Sequence, residues 1–393
     1  METCDTIVVG LGVAGSAAAL ELTRRGHDVL GLDRHAPGHE LGSSHGESRL
    51  MRTVYFEAPH YVRLLRRARE RWKDLEEEAE RTFFLETGAL MIGRPDGDLV
   101  SGCRRSVEAW DLACEELSPA ETTERFPAFH PPAGHATLFD PRGGCLLAAA
   151  CLEEFRGLAR RRGARLRFGE PVTTWERSGR GITVRTDEAT YEADALVLAA
   201  GGWTRGLVPE RDLPLIVERQ TVHLFRPVRR ELFLPERFPV FIFEGGGEAG
   251  GGEAGGGGAP LAYGVPLLDD GVKVALHHGG DEAERPEDVD PVVRAEEGRR
   301  VHAAVEGLLP DLAPDVVAAR VCRYTNTPDE GFLLDRLPGS GAPGRSSAPV
   351  VLATGFSGHG FKFAPVAAEI AADLVEGTAS EDDAAPFRRA RFG

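Results

Sequence analysis

Apolar and polar positions along this chain fall into three kinds of pattern. A short apolar run at residues 6–9 ends in glycines and passes into an alanine-rich stretch, which reads as a buried strand feeding a helix. Gly26 is the expected stop of that helix. Residues 27–32 read as a second strand ending at Asp33. Val62, Leu65, Ala68, Trp72, Leu75 and Ala79 recur at helical spacing, predicting a helix over 57–80 with a charged outer face. A further helix is predicted over 146–162, closed by Gly163, and strands over 164–168, 182–186 and 195–199. From about 215 to 274 strands follow one another without a long helix, the pattern of an antiparallel sheet. Inside it, 245–258 hold ten glycines and two Glu-Ala pairs. That composition predicts a long surface loop, with a mobile lid as the alternative. The chain closes on strand, glycine turn and helix from Val350 onward.

Nucleotide-type segments thus lie at the start, middle and end, with sheet segments between them. The expected architecture is α/β (α+β), in two domains discontinuous in sequence: 1–85, 145–213 and 320–393 in one, 86–144 and 214–319 in the other. Gly10, Gly12 and Gly15 form a G-x-G-x-x-G fingerprint in its strand–turn–helix setting, with Asp33 placed 23 positions after the first glycine. Gly10 permits the tight turn and Gly12 lets backbone approach a pyrophosphate. Gly15 lets the helix sit close. Asp33 suits ribose hydroxyls and argues against a 2′-phosphate, without separating FAD from NAD.

Composition narrows the function. The chain has 393 residues, 42% of them apolar, enough for two to three domains. A net charge of −16 argues against the basic face that a nucleic-acid or anionic-membrane binder needs, so neither partner is expected. No run is long enough to span a bilayer and no export leader is recognisable, so the expected place is the cytoplasm. Six cysteines without a C-x-x-C pair predict reduced thiols there and no metal site. Only Lys73, Lys273 and Lys362 are lysine among 46 basic residues. A chain that otherwise writes arginine draws attention to them.

Four segments carry candidate chemistry. Arg49 and Arg52 are three apart and share a face if that segment is helical. Lys273 and His277 are an even number apart and share a face on a strand. Cys322-Arg-Tyr324-Thr follows an apolar stretch. The last is Gly355-Phe-Ser-Gly358-His-Gly360-Phe-Lys362-Phe.

Together with the glycine fingerprint and the 42–52 stretch, these segments resemble the monomeric sarcosine oxidase and N-methyltryptophan oxidase family, flavin-dependent amine oxidases of the D-amino acid oxidase-like superfamily. The resemblance runs from about residue 7 to 375. It implies a Rossmann-like FAD-binding domain and an antiparallel-sheet substrate domain. It implies FAD, bound through Gly10, Gly12, Gly15, Asp33, Ser43, His45, Ser48, Val172, Gly201, Gly355, Gly358, Gly360 and Lys362. Cys322, on residue type alone a buried free thiol, is implied to form a thioether with the flavin. Arg52 and Lys362 are implied to hold a substrate carboxylate, with Arg49 and Lys273 flanking the flavin and Lys273 on its oxygen-reactive side. Tyr263, His277 and Tyr324 would line the substrate cavity. Ile242 falls where small-substrate members carry an unbranched Met, and the glycine insert is foreign to the family.

The expected reaction oxidises a secondary amino acid, sarcosine or another N-methyl or cyclic imino acid, to an imine, with O2 reduced to H2O2. A primary amino acid oxidase and a flavin dehydrogenase that does not use oxygen are the alternatives. The expected partners are the amino acid and O2, in a monomer or homodimer. A cationic pocket favours the neutral substrate amine and stabilises charge arriving on oxygen. On the reference lysine value Lys273 is expected to be charged unless deeply buried. His277 reads equally as a base or a structural histidine, and no general base is assigned.

Overall fold

Five parallel strands, Arg165–Phe168, Val29–Asp33, Glu2–Val9, Thr190–Leu198 and Val350–Thr354, lie side by side in that order in an eight-stranded sheet, the first of them at its edge. This computed structural model describes residues 2–178, 181–208, 213–245, 261–268, 270–339 and 348–393. Apart from Gly245, the glycine-rich stretch 245–258 lies outside the described residues. Ile7, Val8, Leu30, Leu32, Leu196 and Val351 are fully buried, as in a parallel sheet covered on both faces. One face carries the helices Val13–Arg24, Tyr61–Ala79, Ala148–Arg161 and Ala364–Glu376, packed into a common core. The first strand starts at Glu2, earlier than its apolar run, because Glu2 to Cys4 pair with Tyr191 to Ala193 of the neighbouring strand.

The helix expected over 57–80 begins at Tyr61. Ala58 precedes Pro59, which disfavours helical backbone there, and Glu57 is directed to Arg52 instead. Gly26 and Gly163 follow their helices in the left-handed region, as expected of stop residues. Leu146 and Leu147, expected in a helix, close the strand Gly144–Leu147 instead.

The second sheet has nine strands. Ile216–Pro227 is central to one end, flanked by Leu312–Asn326 and Val272–His277. Leu261–Val265, Val240–Glu244, Ala89–Gly93, Ala136–Asp140 and Glu115–Leu117 continue it. Its pairings are antiparallel except that Val240–Glu244 runs parallel to Ala89–Gly93. Leu312–Asn326 crosses the boundary expected at 319/320 and carries Cys322 and Tyr324 into this sheet, opposite Gln220 and Glu218. Ser48–Met51 pairs with Gly144–Leu147, which also holds Phe84–Leu85, in a small third sheet. Arg49 therefore lies on a strand, with Arg52 just beyond it, and the helical spacing considered for the pair does not apply. Among the described residues no helix is long and apolar enough to cross a membrane.

Candidate functional site

One cavity of about 1710 Å³ runs between the two large sheets. At one end the strand Glu2–Val9 turns through Gly10 into the helix Val13–Arg24. Gly10 has φ +90°, and a Cβ on it would lie 2.6 Å from the Ala199 carbonyl oxygen. A Cβ on Gly15 would lie 1.8 Å from the Gly10 carbonyl oxygen, so Gly15 packs helix on turn and does not line the cavity. Asp33, buried at the end of its strand, accepts from the Leu11 amide at 2.6 Å and from the His35 amide at 2.9 Å. Gly10, Gly12, Asp33, Val172 and Gly201 all line this end.

The other end is cationic. Lys273 is buried on Val272–His277 and donates to the Ser48 carbonyl oxygen at 2.7 Å. Burial and then the neighbouring Arg49 pull its pKa down to about 7. Deep burial, the exception attached to the charge expected of this lysine, is what the fold imposes. Lys362 donates to the His359 carbonyl oxygen at 2.8 Å, and burial followed by Arg52 brings it to about 7 as well. Arg49 bonds the carbonyl oxygens of Ser43, His45 and Ser48. Arg52 is buried, donates to the Val54 carbonyl oxygen at 3.1 Å, pairs with Glu57 and lies 4.1 Å over the Tyr55 ring.

At this cationic end stand Tyr263, Tyr324 and His277, with Lys273 Nζ 6.0 Å from the Tyr263 ring centre. Tyr324 Oη is 3.5 Å from both Tyr263 Oη and His277 Nδ1. Burial, then His278, keeps His277 well below the ordinary histidine value, so it faces the cavity as a neutral ring. His45, lowered to about 3 by burial and then Arg49, has both ring nitrogens buried without a hydrogen-bond partner. Ser43, Ile242, Cys322, Gly355, Gly358 and Gly360 also line the cavity. A Cβ on Gly358 would stand 2.4 Å from the Tyr324 ring. Ser48 stands behind the wall, its Oγ 3.5 Å from Lys273 Nζ.

Sequence spacing did not single out four contributors. Glu57 is the counter-ion of Arg52, only five residues away. His359 lies inside the quoted glycine motif and hydrogen-bonds Tyr55 Oη at 2.6 Å. Arg156 donates to the Leu11 carbonyl oxygen and Ser16 Oγ, both at 3.2 Å, behind the glycine turn. Glu218 accepts from Gln220, Gly280, His278 and Asn326 beside Tyr324. The five-residue spacing of Arg52 and Glu57 is a signal that could have found the first; nothing local could have found the last.

A family model described as FAD dependent oxidoreductase matches residues 5–374. Monomeric sarcosine oxidase of Streptomyces avermitilis is 39% identical over 378 residues, covering 95% of this chain and 94% of its own. N-methyl-L-tryptophan oxidase of Salmonella agona is 34% identical over 389 residues, covering 99% of both chains. Among solved structures, NikD, described as an unusual amino acid oxidase essential for nikkomycin biosynthesis, matches with a TM-score of 0.82 at 26% identity over 98% of each chain. The cavity fits such a dinucleotide on its own terms. At Gly10 and Gly12 the lining is bare backbone, a buried carboxylate stands beside it, and His45 presents two unpartnered ring nitrogens.

Proposed function

The chain belongs to the FAD dependent oxidoreductases, and from that premise we propose that it oxidises the N–CH3 or ring C–N bond of a secondary α-amino acid at the expense of O2. For an N-methyl substrate the balance is R–NH–CH3 + O2 + H2O → R–NH2 + HCHO + H2O2. The bound FAD supplies the two-electron acceptor for the substrate and the donor for oxygen. Gly10, Gly12 and Asp33 would hold its nucleotide end, and Arg49, Lys273 and the Gly355–Gly360 turn its redox-active end. Cys322, buried in the cavity wall, would tether it through a thioether.

Arg52 and Lys362 open into the same cavity, and an amino-acid carboxylate is the group their fork and ammonium fit together. Their charges, with Arg49, disfavour an ammonium on the substrate nitrogen and so favour the neutral amine that oxidation requires. Lys273 provides an ammonium where negative charge arrives on dioxygen, and that arriving charge favours its protonated form. His277, held neutral, shapes the wall and takes no proton in this reading.

The observation that carries the proposal is the meeting of Arg52, Lys362 and Lys273 in one buried cavity with the glycine turn. The test is anaerobic bleaching of the yellow protein by sarcosine, N-methyltryptophan, proline, pipecolate and glycine in turn, followed by peroxide release on admitting air. Bleaching by a secondary amino acid supports the proposal. Bleaching by glycine alone, or reoxidation that yields no peroxide, overturns it.

A further inference from the structure

The arm that ends in Arg52 and Glu57 is gripped from behind by residues outside the cavity lining. Asp140, fully buried at the end of Ala136–Asp140, accepts through one oxygen from the Thr53 amide at 2.6 Å, the Thr53 hydroxyl at 2.8 Å and the Val54 amide at 3.1 Å. Its other oxygen takes the Arg142 amide at 3.0 Å. Ser106, fully buried on the helix Asp98–Trp110, donates its hydroxyl to the Tyr55 carbonyl oxygen. One turn earlier Gly102 lies so close that a Cβ would stand 2.7 Å from the Phe56 carbonyl oxygen. Four successive residues, 53 to 56, are therefore held by one strand and one helix of the second sheet's half. None of the three holders lines the cavity.

We propose that Asp140, Ser106 and Gly102 are positioning residues that set the affinity of Arg52 for a substrate carboxylate without touching the substrate. The inference rests on the carboxylate-binding role given to Arg52 above. A bidentate carboxylate contact depends on the guanidinium's placement, and a displacement of about 1 Å can cost on the order of a hundredfold. The Arg52 guanidinium is itself bonded to the Val54 carbonyl oxygen, so a shift of residues 53–56 moves it directly. Lys362 and the glycine turn belong to another segment but meet Tyr55, whose hydroxyl bonds His359 at 2.6 Å and whose ring lies 5.2 Å from Lys362 Nζ, so a shift of residues 53–56 moves the carboxylate site as a unit.

The test uses the flavin-loaded Gly102→Ala, Ser106→Ala and Asp140→Asn proteins. It measures sarcosine KM, the inhibition constant of propionate, the limiting rate of anaerobic reduction and the rate of reoxidation. The expected result is that KM and the propionate constant rise together, by roughly tenfold to a hundredfold, while both limiting rates stay within about threefold. A lowered Tm with both constants unchanged, or a fall in the limiting rates with KM unmoved, overturns the proposal. Where Asp140→Asn does not fold, Ser106→Ala, which removes one hydroxyl, decides by the same readout. If the wild-type protein binds propionate but oxidises no secondary amino acid, the functional reading fails and the propionate constants still decide the positioning role. If it binds no propionate at all, both fail.

Discussion

Glu57 pairs with Arg52 inside the cavity wall, so the arginine meant for a substrate carboxylate already holds a carboxylate of its own chain. One oxygen of Glu57 is left buried without a partner. Replacing Glu57 by Gln removes the competing charge. Sarcosine KM is expected to fall while thermal stability falls too, by about 1–3 kcal/mol, because a buried guanidinium loses its ionic partner. Steady-state kinetics beside a melting curve reads both; a raised KM would show that Glu57 assists binding instead of competing.

Lys362 sits near pH 7 in its titration, which makes carboxylate binding dependent on pH. Its ammonium is present below about 7 and is lost as the pH rises through that value. Propionate, which has no amine to titrate in this range, should bind more weakly from pH 6 to 8.5. Lys362→Met should flatten that dependence, and inhibition constants across the range measure it.

Lys273→Met should slow reoxidation by O2 far more than reduction by substrate. An ammonium beside the arriving charge is worth several kcal/mol in a water-poor site, so the loss in the oxygen step should reach about a hundredfold or more. Stopped-flow measurement of the two half-reactions separates them. Equal losses in both would contradict the role given to this lysine.

Cys322→Ser should leave flavin that departs with the supernatant after acid precipitation, whereas the wild-type polypeptide should stay yellow and fluoresce in a denaturing gel. Release from the wild type would remove the thioether.

Glu218 is a buried carboxylate saturated by four donors, one of them His278 Nδ1 at 2.8 Å. Burial alone would lower His278, but the Glu218 bond and charge raise it above its ordinary 6.5. Burial likewise opposes ionisation of Glu218, and His278 and the other donors hold it below 4.5. The His278 contribution is complete below 6.5 and is lost as pH rises through the raised value. The Glu218 contribution is complete above 4.5 and is lost as pH falls through the lowered one. The gap in unfolding free energy between wild type and His278→Asn, read from denaturant titrations across pH, should therefore be widest between pH 4.5 and 6.5, at about 1–3 kcal/mol.

The strand–turn–helix units of the parallel sheet were readable because their cues are local. The glycines at 10, 12 and 15, the acid at 33 and the strand–turn–helix at 350–376 each announce themselves within a few tens of residues. Lys273 and His277 share a strand facing the cavity, as their even spacing required. Arg49 and Arg52 misled, because nothing local shows that Ser48–Met51 pairs with Gly144–Leu147 about a hundred residues later. A strand needs a partner, and the partner is not in the window being read.

By itself the amino-acid order determined which residue types are available and which short segments form strand, turn and helix. Backbone conformation over ten or so residues depends mainly on those residues. The tertiary structure alone decided that Tyr55 meets His359, that Lys273 meets Ser48, and that Asp140 grips Thr53. It also decided that two lysines titrate near neutrality, since that follows from the depth at which folding buries them and from the cations it places beside them.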